Sequence, residues 1–220
     1  MIAGVLLAAG ASTRMGGLKA LARTGGESFT LRGIRNLWSA CDRVVVVLGS
    51  GAPRIRSGTE RELGRLVGAT GPRRGGAAGG AGHLEARFLV HPGWADGMLS
   101  SARVGLRAAL RARPEAVLVL PVDHPAVRSG TVEDLGRAML QALAACRTPR
   151  DRARFAYALV PRFRRRRGHP VALSPALARA VAADAGAENL SDAIRRNARL
   201  VGYLEVADAG VVRNRNTPRD

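Results

Sequence analysis

Three runs of almost purely apolar residues, at 2–8, 43–48 (R-V-V-V-V-L) and 116–122 (A-V-L-V-L-P-V), set the frame for this chain. A strand that is apolar at every position, rather than at every second one, is buried on both faces. That is the condition of a parallel sheet sheltered by helices. The segments between have helical spacing. Residues 28–41 carry Phe29, Leu31, Ile34, Leu37 and Trp38, with Ser28 or Thr30 as a cap. Residues 57–67, 98–113 and 132–146 read as further helices, and 87–90 and 155–160 as brief strands. Helices over 175–183 and 187–198 and a closing strand over 200–206 complete the alternation. The expectation is an α/β fold with a largely parallel sheet, covered on both faces. No repeat or boundary divides the 220 residues, so one domain, 1–220, is expected. Seven glycines in the fifteen positions 68–82 suggest a flexible loop, and 147–154 a polar, basic connector.

Charge is the second constraint. The chain holds 35 Lys+Arg against 17 Asp+Glu, and Lys19 is its single lysine, leaving 34 arginines. With abundant Ala and Gly, this skew resembles GC-rich codon usage. Aromatics are only 4%, and arginine is spread along the whole chain, which disfavours a nucleic-acid module. No run approaches the ~18 apolar residues of a membrane span. Met1-Ile2-Ala3-Gly4-Val5 lacks the basic start of a signal peptide, and Cys41 and Cys146 form no metal or disulfide pattern. A cytoplasmic, reducing setting is expected.

In open α/β sheets ligands bind beyond the carboxyl ends of the strands, so the loops after residues 8, 48 and 120 draw attention. The first reads Leu7-Ala8-Ala9-Gly10-Ala11-Ser12-Thr13-Arg14-Met15-Gly16-Gly17-Leu18-Lys19. Glycines let backbone N–H groups approach a phosphate, and Arg14 and Lys19 can neutralise it. An ordinary glycine-rich turn is the competing reading. Neither G-x-x-x-x-G-K-[ST] nor G-x-G-x-x-G fits. The sole lysine ends this loop, either by chance placement or because a compact ammonium serves there better than a planar guanidinium. After residue 120 comes Pro121-Val122-Asp123-His124-Pro125. A carboxylate held there between prolines suits Mg²⁺, which takes one or two carboxylates plus substrate phosphates. A turn or capping aspartate is the alternative.

The run L-A-A-G-x-S-x-R-M-G-x-x-K resembles the signature loop of the small nucleotidyltransferases, above all the molybdenum cofactor cytidylyltransferase and guanylyltransferase group. The P-x-D-x-P step around Asp123, W-x-x-G-M-x-x-S at 94–101, Gly168-His169-Pro170 and the terminal Asn216-Thr217-Pro218 are similar to further elements of that group. The resemblance implies a Rossmann-like three-layer nucleotidyltransferase fold, with 52–86 and 147–154 as insertions. It implies transfer of a nucleotide from a nucleoside triphosphate, CTP by the Ala9 of L-A-A-G, to a phosphorylated acceptor, molybdopterin. Leu7, Ala8, Ala9, Gly10, Ser12, Arg14, Gly16 and Lys19 would bind the nucleotide, with Arg14 and Lys19 on its phosphates. Asp123 would hold Mg²⁺ with Asn216, or Asn214, at a second ligand position. Ser100, Ser101 and His169 would face the acceptor. His124 reads as a loop histidine. A molybdoenzyme or its chaperone is a candidate partner. A related enzyme for another phosphorylated acceptor, or a silent nucleotide-binding domain, is the alternative.

Overall fold

The computed structural model describes residues 1–10, 17–70 (67–70 by backbone only) and 85–215. In chain order the elements are β1 (Ile2–Ala8), β2 (Arg23–Thr24), β3 (Glu27–Ser28), α1 (Phe29–Trp38), β4 (Arg43–Leu48) and α2 (Ala52–Thr70). There follow β5 (Glu85–Val90), α3 (Met98–Leu110), β6 (Ala116–Pro121), α4 (Ser129–Ala144), α5 (Pro149–Arg154) and β7 (Tyr157–Phe163). The chain continues through β8 (Arg166–Arg167), β9 (Val171–Leu173), α6 (Pro175–Ala183), α7 (Leu190–Asn197) and β10 (Leu200–Glu205).

The main sheet runs β10-β7-β9-β6-β1-β4-β5, with β8 beside β7. β1 lies parallel to β4 and β6, β4 parallel to β5, and β7 parallel to β10. β9 is antiparallel to both neighbours, β6 and β7. The sheet is therefore mixed but mostly parallel. The register aligns Leu7 with Val47 on one side and with Pro121 on the other. The loops after β1, β4 and β6 consequently leave the sheet at one level, as the apolar runs suggested.

Successive side chains of a strand point to opposite faces, and here both faces are buried. Val5, Leu7, Val45, Val47, Val117 and Val119 pack with Leu99, Leu106, Leu177 and Val181 of α3 and α6. Leu6, Ala8, Val46, Leu48, Leu118 and Leu120 pack with Ile34, Leu37, Ile55, Leu135 and Met139 of α1, α2 and α4. Helices thus cover both faces, the three-layer arrangement that the resemblance implies. Ser28 caps α1, its hydroxyl accepting from Leu31 N at 3.1 Å.

Several elements differ from expectation. The connector at 147–154 is largely helical, because Thr148 accepts from Asp151 N and Pro149 occupies the first turn of α5. α2 extends well beyond 57–67 at both ends. Strand β9, unforeseen, is inserted antiparallel directly after Gly168-His169-Pro170. Most of the glycine-rich stretch lies outside the described residues. No helix among the described residues is long and apolar enough to cross a membrane.

Candidate active site

The segments after β1, β5 and β6 enclose a cleft of about 270 Å³. Leu7, Ala8, Ala9 and Gly10 form one wall, Lys19 and Ala20 another, and Pro121, Val122 and Asp123 a third. Trp94, Ala95, Gly97, Met98 and Ser101 close the remaining side. Trp94 opens a 3-10 turn after β5, and Gly97 then starts α3 at φ 96°, a conformation natural to glycine. Gly49 fixes how closely these walls meet. A Cβ there would lie 2.4 Å from the Ala9 carbonyl oxygen and 2.5 Å from the Trp94 side chain. Gly49→Ala is therefore expected to separate Trp94 from β1 and to cost about 1–3 kcal/mol by overpacking. Denaturant unfolding together with nucleotide titration would check this. Unchanged stability and affinity would show that the walls can yield.

Asp123 stands just past the end of β6, its side chain 22% exposed. One oxygen, Oδ1, accepts from His124 Nδ1 at 2.8 Å. The other, Oδ2, lies 3.7 Å from Lys19 Nζ, in an ion pair partly screened from water. Burial alone would raise the carboxyl pKa. The His124 hydrogen bond and the charges of His124 and Lys19 outweigh it, so Asp123 titrates below its ordinary value. It is ionised at neutral pH, with Oδ2 toward Lys19. Burial, with a smaller contribution from His124, depresses the His169 pKa to about 4. That ring is neutral near pH 7 and meets the His124 ring edge-on, with centroids 4.8 Å apart.

The backbone holds this corner from two directions. Arg215 N donates to the Asp123 carbonyl at 2.7 Å, and His169 N donates to the Val211 carbonyl at 2.9 Å. The C-terminal segment is thus tied beside the carboxylate, immediately before Asn216. Nearby Asp208 is fully engaged elsewhere. Its oxygens accept from Arg128 N, Thr131 Oγ1 and Gly210 N, which anchors the start of α4.

Of the residues singled out from the sequence, Leu7, Ala8, Ala9, Gly10, Lys19, Ser101 and Asp123 converge on the cleft. Ser12, Arg14, Gly16 and Asn216 lie outside the described residues. Asn214 is exposed. Ser100 faces its own loop: its hydroxyl contacts His91 Nε2 at 3.0 Å and reaches the Gly93 and Gly97 carbonyls. His169 sits behind His124 rather than on the cleft wall. Residue-by-residue reading undervalued Trp94 and Met98, although the W-x-x-G-M spacing carried them. His124 is a loop histidine as expected, and the hydrogen bond that satisfies its ring goes to Asp123 Oδ1 and so orients the carboxylate.

No group of three or more His, Cys, Asp or Glu able to cage a metal exists among the described residues. A single ionised carboxylate in a cleft with a cation is instead the pattern that suits a hard divalent ion arriving with a polyphosphate. Asp123 fits that use.

Comparison with known proteins agrees with the geometry. Residues 4–200 match the model of the MobA-like NTP transferase domain. The chain is 31% identical over 219 residues to the nicotine blue oxidoreductase of Paenarthrobacter nicotinovorans, covering 94% of this chain and 88% of that protein. Among solved structures, a nucleotidyl transferase from Methanothermobacter thermautotrophicus superposes with a TM-score of 0.65 at 20% identity, covering 100% of this chain and 94% of its own. Rv0371c of Mycobacterium tuberculosis, in complex with manganese, gives 0.57 at 19% identity, over 93% and 88% of the two chains. A parallel-strand cleft presenting Lys19 to Asp123, on a chain matched over residues 4–200, leads to one assignment: the chain belongs to the MobA-like NTP transferase domain family and is a nucleotidyltransferase of that type.

Proposed function

We infer that this enzyme transfers CMP from CTP to a phosphorylated acceptor of the molybdopterin kind, with Mg²⁺ and in the cytoplasm. The observation that carries the reading is the placement of Lys19 and ionised Asp123 across the mouth of one cleft, 3.7 Å apart. An oxygen of the acceptor phosphate attacks the α-phosphorus of the triphosphate. The bond from that phosphorus to the bridging oxygen of the β-phosphate breaks, and pyrophosphate departs with the electron pair. No protein nucleophile is needed, and the described residues of the cleft include no cysteine or histidine. Positioning and charge neutralisation do the chemistry.

Lys19 binds phosphate oxygens and balances the charge that builds on the leaving pyrophosphate. Asp123 would hold the metal, whose contribution is Lewis-acid polarisation of the phosphates. His124 keeps Oδ1 of Asp123 occupied and leaves Oδ2 to Lys19 and the metal. Trp94 and Met98 supply an apolar flank, and Ser101 a buried hydroxyl near the start of α3. Arg14 and Asn216 are assigned phosphate and metal contacts by resemblance alone, as is His169 its place near the acceptor.

Ala9 is 5% exposed on the cleft wall, where its methyl group narrows the space for a base. CTP is expected to exceed GTP in kcat/KM by roughly 10–200-fold, the range that one small group can discriminate. Measuring pyrophosphate release with four nucleotides and several phosphorylated acceptors tests both choices. Equal turnover of GTP would overturn the cytidine assignment, and turnover of a sugar phosphate alone would replace the pterin.

The 31% identity to a protein named as an oxidoreductase favours a second reading, since one fold can host unrelated chemistries. A redox enzyme would turn over nicotine blue without consuming a triphosphate. Redox turnover with no pyrophosphate release from any nucleotide would establish it in place of the first.

A further inference from the structure

We propose that the chain carries a second small-molecule site, separate from the cleft, which takes a phosphate-bearing ligand through arginines of α2. The site is a cavity of about 350 Å³ between α2, the β2–β3 hairpin and Leu21. Its walls present Arg54, Arg61 and Arg65. Their spacings of seven and four place the three on one stripe of a helix with 3.6 residues per turn.

All three are exposed, and their guanidinium groups have no ion-pair or hydrogen-bond partner among the described residues. The contrast lies within the same helix. Arg56, on another side, is paired with Glu60 at 2.8 Å. The one acid of the cavity, Glu62, is fully committed. Its Oε1 accepts from Arg23 and its Oε2 from the Ser28 hydroxyl. Three uncompensated guanidinium groups therefore face a concave space with nothing to balance them. Like charges four residues apart on a helix repel, so the arrangement weakens the free helix and favours an anion between them. GC-rich codons explain arginine in general, but not its convergence on a cavity while nearby arginines are paired.

The chemistry selects the ligand class. Guanidinium forks match the oxygens of a phosphate in bidentate fashion. A cavity of this size falls at the lower end of the ~300–1,000 Å³ of small-molecule sites, so it accommodates a phosphorylated metabolite as well as inorganic phosphate. The two cavities are distinct, though they share a turn. Lys19 and Ala20 line the first, and Leu21 lines the second. Gly58 lets α2 approach that turn, since a Cβ there would sit 3.2 Å from Leu21 Cδ2.

Equilibrium dialysis of the full chain against labelled inorganic phosphate at low ionic strength tests the proposal. Arg61→Ala/Arg65→Ala should weaken phosphate binding at least tenfold. Arg56→Ala, which removes a charge from the same helix, should change it less than twofold. Alanine suits an exposed helix position, and thermal unfolding confirms that each variant is folded. Lys19→Ala should leave the α2 binding in place, which separates this site from the cleft. Absence of saturable binding in the wild type, or equal weakening by Arg56→Ala and by the double substitution, would overturn it. So would loss of all binding in Lys19→Ala.

Discussion

Asp123→Asn is expected to lower nucleotide transfer by ~10²–10³-fold while the protein stays folded, the usual cost of removing one electrostatic element of a transition state. Asn keeps the size of the side chain and an oxygen that can still accept from His124 Nδ1. What disappears is the charge opposite Lys19 and beside the incoming phosphates. The fold should tolerate the change because Asp123 lies beyond the last residue of β6 and is bound to Arg215 through its backbone carbonyl. Steady-state kinetics at several Mg²⁺ concentrations, with a thermal melt of the same sample, check both halves. Wild-type rates at ordinary Mg²⁺ would remove Asp123 from the metal site. A collapsed melting curve would make its role structural.

Lys19→Arg is expected to lower kcat by about 10²-fold, although arginine is the default cation of this chain. Lys19 is no solvated leftover. Its side chain is 17% exposed, it begins the 3-10 turn Lys19–Leu21, and its ammonium lies 3.7 Å from Asp123 Oδ2. A guanidinium is wider, planar and fixed in its donor directions, so it would displace Asp123 or the polyphosphate between them. Total charge is conserved, so attraction of the nucleotide persists and the loss falls on kcat rather than KM. Wild-type kcat and KM in this variant would mean that any cation suffices.

The elements that build the cleft were legible because each follows from a local rule. β1, β4 and β6 are continuous apolar runs, and their shared direction and level follow from burial on both faces. Lys19 stood out by composition alone. β9 did not, because three residues after a proline carry too little periodicity, and only pairing with β6 and β7 makes them a strand. The helix over Pro149–Arg154 was hidden by its polarity, since it buries no residue and rests on the Thr148 cap. The orienting role of His124 depends on a side-chain hydrogen bond, which adjacency in sequence does not imply. Likewise, Arg54, Arg61 and Arg65 read as ordinary surface charge until the hairpin that carries Arg23 closes the space beside them.

Transfer of label from CTP tests the central claim most directly. The wild-type enzyme, incubated with Mg²⁺, molybdopterin and CTP labelled at the α-phosphorus, should place the label in a product joined to the acceptor. An equal amount of pyrophosphate should be released, and Asp123→Asn should reduce both together. Label that stays in CTP, or appears only as free CMP with no acceptor-linked product from any nucleotide or phosphorylated acceptor, would contradict the account.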